Sequence, residues 1–200
     1  MMVQLPPTIR LPFENEIPKN IKVLKRWEAS TQANIVAGYQ LKQTPLNEDS
    51  NFQFYAQINV DNPQLWALCM HLVKSFPDQV TFIYGIAENT LCYKDFSSKT
   101  ILLKNLISYQ KELTQDPYIQ WGLLHQSNEA LTEVFVTPSK YIQFWGDDHS
   151  DFQTIMKQYG LQEIPKIEFI DAYPKITLSL QSLDNSALSS EELIEEIKRF

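Results

Sequence analysis

Two short stretches, YAQINVD (55–61) and YIQFWGD (141–147), carry Tyr, Gln and Asp at matching places with a constant offset of 86 residues. In each, apolar and polar residues alternate up to an aspartate, and an amphipathic run follows. Alternation has the period of a strand, and apolar residues three and four apart have the period of a helix. Each stretch therefore reads as a strand turning into a helix at an acidic corner. The helices continue in phase: Trp66 falls on Phe152, Cys69 on Ile155 and Met70 on Met156. After a gap of one residue, VTFIYG (80–85) falls on IEFIDA (167–172).

The rest of the chain fits around these corners. Strands are predicted at 34–44, 52–60, 79–86 and 90–96, with TPLNEDSN (44–51) as a turn. A helix is predicted over 61–76, with Asp61 or Asn62 as its cap, Pro63 in the first turn and Pro77 as its stop. Another is predicted over 99–113. In the second half the pattern predicts strands at 131–137 and 140–146 and a helix over 147–160 closed by Gly160. Strands at 165–171 and 175–181 and a last helix over 189–200, capped by Ser189 or Ser190, follow. Residues 114–130 have no clean period and read as a loop or a short helix around Tyr118–Leu124. Residues 1–30 hold Pro6, Pro7, Pro12 and Pro18 and read as an extended segment, with a strand at 21–29. Strand, strand, helix, strand, strand, helix is thus written twice, over 31–125 and 126–200. The expected fold is α+β: two tandem ββαββα repeats in one compact unit, a mainly antiparallel sheet with helices on one side.

Composition limits what such a fold can do. Aromatics are 12% of the chain, enough to build a sizeable core and to exclude wholesale disorder. Five glycines in 200 residues leave little for phosphate-cradling loops, and neither a Walker loop nor G-x-G-x-x-G occurs. The 24 acidic against 17 basic residues give a net charge of −7. That charge repels a phosphate backbone and steers a basic protein. A protein partner is therefore expected, and no nucleic acid. The sequence shows no basic-then-apolar leader and no apolar run long enough to span a bilayer, so neither a signal peptide nor a membrane segment is expected. Cys69 and Cys92 lie outside any C-x-x-C and read as free thiols in a reducing, cytoplasmic setting.

The stretch FWGDDHSDF (144–152) has the residue types of a chemical site. Metal binding would need histidines and carboxylates converging at helical or strand spacing. Here Asp148 and Asp151 share a helix face, His149 lies off it, and His71 and His125 are remote. Asp147 falls on Asp61 in the repeat, so the first expectation is helix capping by Asp147 or Asp148, with Asp151 adding favourable charge. No nucleophile motif is present. No enzyme activity, metal or cofactor is expected, and no catalytic residue is named. Trp145 must point away from Phe144 on a strand. With Asp147, Asp148 and His149 it forms the candidate partner-binding corner.

In size, acidity, aromatic content and lack of catalytic motif, the chain resembles the immunity proteins of bacterial toxin systems. That resemblance implies an acidic cytoplasmic protein that neutralises a cognate toxin by direct contact. The alternative is a small-molecule binder or enzyme with a cleft between the two repeats. Paired β-α-β-β modules are similar to the vicinal-oxygen-chelate enzymes and to ligand-binding regulators. The former need His and Glu on strands, whereas His71 and His149 fall on predicted helices.

Overall fold

The computed structural model describes residues 2–44, 51–128 and 130–200. Most of the predicted turn at 44–51 lies outside them. The fold is α+β, built on an eight-stranded sheet in which every pair of neighbours is antiparallel. Its order follows from where the chain can turn back. After β1 (Ile9–Arg10) and α1 (Ile21–Ser30), the strands β2 (Gly38–Gln43) and β3 (Phe54–Asn59) pair as an antiparallel edge. Helix α2 (Asn62–Leu72) then carries the chain across the sheet to β4 (Gln79–Ile86). Two short strands, β5 (Cys92–Tyr93) and β6 (Ser97–Ser98), both pair with β4. Helices α3 (Lys99–Leu106) and α4 (Gln110–Gln115) return it to β7 (Ile119–Gln126). The meander β7, β8 (Leu131–Val136) and β9 (Ile142–Gly146) fills the gap between β4 and β3. Beyond it come α5 (His149–Gln158), β10 (Ile176–Thr177), α6 (Leu180–Leu183) and α7 (Ser190–Lys198).

Strand registers decide which side chains share a face. Ala56, Phe144, Val134, Leu123 and Phe82 lie in one row across the sheet, and Ile58, Ile142, Val136, Trp121 and Tyr84 in another. All belong to the main core, together with Leu65, Leu68, Cys69 and Leu72 of α2. Leu102 and Leu106 of α3, Leu113 of α4, Phe152 and Ile155 of α5, and Leu193 and Ile197 of α7 close it from the helix side. The opposite face carries Tyr55, Trp145, Glu133 and Leu124 in one row and Gln57, Gln143, Phe135 and Ile83 in the next. Helix α1 stands apart from the main core, beside a second small cluster of Val3, Ile9, Ile35 and Ile170.

Four expectations need correction. Residues 1–30 are not all extended, and 21–29 is the helix α1 rather than a strand: the Asn20 side chain accepts from the amides of Lys22 (2.9 Å) and Val23 (3.4 Å). That cap starts a helix whose half-buried Val23 and Trp27 and buried Ser30 follow helical spacing. Ile21, which suggested the strand, is 72% exposed. Second, 114–130 contains neither a short helix nor only loop, but the central strand β7. Ile119, Trp121 and Leu123 are buried on the core face while Gln120 and Leu124 are half-buried on the other, and Gly122 with the adjacent Leu123–Leu124 blurs that alternation in the sequence. Third, the predicted helix over 99–113 is interrupted by a 3-10 turn at Ile107–Tyr109.

Fourth, the second ββαββα copy is incomplete. The predicted strands at 165–171 and 175–181 add nothing to the main sheet; within them Ile176–Thr177 alone forms a strand, paired with β1. The segment does begin to pair with the β2 edge, since Tyr39 N donates to Gln162 O (3.0 Å) and Ile164 N to Tyr39 O (2.7 Å). Pro165 then supplies no N–H to continue the ladder, and the chain leaves. The described likeness is therefore confined to β2–β3–α2 and β8–β9–α5. Their matching residues Gln57 and Gln143 are direct partners on adjacent strands, so the two halves share one sheet rather than facing each other across a cleft.

Candidate functional site

The β9–α5 corner is where three of the four predicted site residues meet. Phe144 points into the core and its ring closes over Gly146, where a Cβ would come within 2.7 Å of it. Glycine lets the strand end there without displacing that ring. The next residue, Asp147, turns back to the neighbouring strand: its carboxylate accepts from Gln53 N at 3.1 Å. Burial pushes its carboxyl above the usual range, and the Gln53 amide offsets this in part.

Capping belongs to Asp148, whose side chain accepts from Asp151 N at 2.8 Å. Asp147 does not cap. Its counterpart Asp61 behaves in the same way: it makes no cap bond to α2 and accepts from Gln4 N at 2.7 Å. Both aspartates tie a passing segment to the corner, and Asp148 supplies the cap that the sequence placed one residue either way. His149 opens α5 with its ring edge-on to Phe54, centroids 5.6 Å apart.

These residues line two adjoining hollows. One, of about 150 Å³, has Leu72, Phe144, Phe152 and Ile155 among its apolar lining and Asp147, Asp148 and Asp151 among its polar lining. Among the described residues no Lys or Arg lines it. The other, of about 200 Å³, lies between Phe54, His149 and the 43–44 and 53 backbone. Among the described residues, the ion pairs involve none of these three aspartates. No group of three or more His, Cys, Asp or Glu is arranged to hold a metal, again among the described residues. Chemically, the corner offers hydrocarbon contact beneath an anionic rim.

Trp145 does not join this cluster. It lies on the opposite sheet face against Tyr55, ring centroids 4.8 Å apart, half-buried. On the same face and in the same row, Glu133 is pushed up to about 7 by burial. The sequence-predicted site is thus split by the sheet into an acidic corner and an aromatic patch.

One residue with unusual chemistry gave no sequence signal. Lys140 is 3% exposed and has a left-handed backbone, φ 62°. Its Nζ donates to the carbonyls of Ile119 (2.7 Å) and Leu113 (3.2 Å). Burial lowers it to about 7 against the pull of Asp116 and Cys69. The one hint in the sequence is its place after Pro138–Ser139 at a strand end, which signals a turn and not burial.

The fold and corner together define an α+β protein with an acidic, apolar-floored recess at a strand-to-helix junction. Comparison with protein-family models, curated proteins and solved structures gives no match. Among the described residues, no helix is long and apolar enough to cross a membrane.

Proposed function

We propose that the chain is an acidic binding protein that receives a basic protein partner at the β9–α5 corner. The observation that carries this is the recess in which Asp147, Asp148 and Asp151 stand over Phe144, Phe152, Leu72 and Ile155 with no cation among them. Lysine and arginine side chains combine a hydrocarbon stem with a charged head, so each half of such a side chain finds its match there. The net charge of −7 favours encounter with a basic partner. Neutralisation of a cognate toxin in the cytoplasm, as an immunity protein, is the role we assign to a small acidic binder of this kind.

Co-expression with the product of a neighbouring gene tests it. Growth arrest by that product is relieved by the wild-type chain and returns with Asp147→Asn/Asp151→Asn, while Asp148→Asn keeps the cap. The captured complex weakens as salt rises. If the double variant protects and binds as well as wild type, or no neighbouring product is bound, the proposal fails.

A further inference from the structure

At the other end of β9 from the acidic corner, three turns and the 170–177 segment surround a cavity of about 340 Å³. Its lining includes Glu88, Tyr118, Pro138, Ser139, Asp171 and Lys175. None of these was singled out in the sequence, and none belongs to the corner. Small-molecule sites are of this size, mostly apolar with a few convergent polar groups, and are often built on loops held by a rigid scaffold.

Two observations mark this cavity as more than a surface dent. First, a polar network joins the β8–β9 turn to the 170–177 segment. The Ser139 hydroxyl and the Lys175 ammonium both donate to one carboxylate oxygen of Asp171, and Lys175 also donates to Ser139 Oγ. Ser139 is 4% exposed, so its own bonds are partly shielded from water, while the Lys175–Asp171 pair lies at the surface. Tyr141, half-buried and facing the same carboxylate, has its phenol pushed up by desolvation and by Asp171. Second, among the described residues only two non-glycine residues have positive φ, Glu88 (69°) and Lys140 (62°). Glu88 lines the cavity and Lys140 follows Ser139. Left-handed backbone at residues with a Cβ is disfavoured and concentrates at binding sites.

The network determines which charges a ligand would meet. Asp171 accepts from Ser139 and Lys175 at one oxygen, so its charge is already offset in part by the Lys175 ammonium. An ammonium has three N–H donors. Lys175 spends them on Ser139 and Asp171, which leaves one for an incoming acceptor. Glu88 is exposed and, among the described residues, takes part in no ion pair. It therefore presents a carboxylate to an incoming donor. Between them, Tyr118 (39% exposed), Pro117 and Pro138 supply aromatic and apolar wall.

We infer that this cavity binds a zwitterionic small molecule of the α-amino-acid class. Its carboxylate meets Lys175, its ammonium meets Glu88, and its apolar side chain packs on Tyr118 and the prolines. This inference is independent of the protein-partner reading at the β9–α5 corner, and either can fail alone.

The test is calorimetric titration of the full chain with the twenty standard amino acids, and with phenethylamine and 3-phenylpropionate as the separate halves of phenylalanine. At least one apolar amino acid binds, about ten-fold or more tighter than either half, because each half forfeits a charge-assisted hydrogen bond. Glu88→Gln lowers that affinity about ten-fold with an unchanged melting temperature, since Glu88 takes no part in the Ser139–Asp171–Lys175 network. Lys175→Arg, which keeps the charge and the tie to Asp171, retains binding better than Lys175→Met. Absence of binding by every amino acid at millimolar concentration overturns the inference. So does phenethylamine binding as tightly as the zwitterion, or Glu88→Gln binding like wild type.

Discussion

Replacing Lys140 by Met probes the least expected feature of this core. In the folded chain the Lys140 amine lies beside the Leu113 and Ile119 carbonyls, with Asp116 and Cys69 as its charged or ionisable surroundings. A neutral amine has two N–H groups, and two carbonyls accept them, so both donors of the uncharged form are satisfied. Burial accordingly lowers its pKa from 10.5 to about 7. The sign follows from proton counting. Between pH 7 and 10.5 the unfolded chain holds a proton that the folded chain has released, so wild-type stability rises with pH through that window. At about 1.4 kcal/mol per pH unit, the gain from pH 7.5 to 9.5 is about 2–3 kcal/mol. Methionine has no such proton. Urea denaturation of both proteins at several pH values gives the difference, in which all other titrating groups cancel. The expected result is that Lys140→Met is little worse than wild type near pH 7, where loss of two hydrogen bonds is balanced by removal of the desolvated amine. It then falls behind by a further 2–3 kcal/mol, roughly, at pH 9.5. A difference that stays constant with pH refutes the argument, because it means that the amine keeps its proton when buried.

Three other outcomes follow from the packing and the corner. Trp121 is fully buried between Trp66 and Phe82, and its Nε1 donates to Leu113 O at 2.9 Å; Trp121→Ala destabilises by about 3–5 kcal/mol in the same assay. Asp148→Ala, which removes the α5 cap, costs about 1 kcal/mol, whereas Asp148→Asn is close to neutral. Native protein treated with a thiol reagent modifies one cysteine quickly, the exposed Cys92. Buried Cys69, whose thiol is pushed up by burial, reacts only after unfolding. Two rapid equivalents in the native state would contradict its placement.

Much of the element pattern was legible because local chemistry and burial agree where they were read correctly. The β3–α2 and β9–α5 junctions, β4, β8 and α7 are all places where period, cap and breaker point the same way. In α7, Ser189 and Glu192 form a reciprocal cap, as a serine before glutamates implies. Reading failed where those signals conflict or vanish. Asn20 overrode the apparent alternation of 21–29, and in β7 Gly122 and the adjacent Leu123–Leu124 blur the alternation that puts Ile119, Trp121 and Leu123 in the core. At the acidic corner the sequence places Trp145 opposite Phe144, and the structure shows the consequence that it lies across the sheet from the Asp148–Phe152 turn and does not join Asp147, Asp148 and His149.

What the sequence determined by itself is the set of periodic elements, the caps at their ends, the acidic balance and the recurrence of one strand–helix corner. These depend on neighbours a few residues apart. Tertiary structure alone decided that Gln57 and Gln143 meet on adjacent strands, that β7 fills the middle of the sheet, and that Lys140 is buried. It alone also brought Ser139, Asp171 and Lys175 together. Those contacts join residues 21 to 86 positions apart, or 32 and 36 in the polar network. No local preference encodes such a distance; it is set by which apolar faces must be covered once the elements have formed.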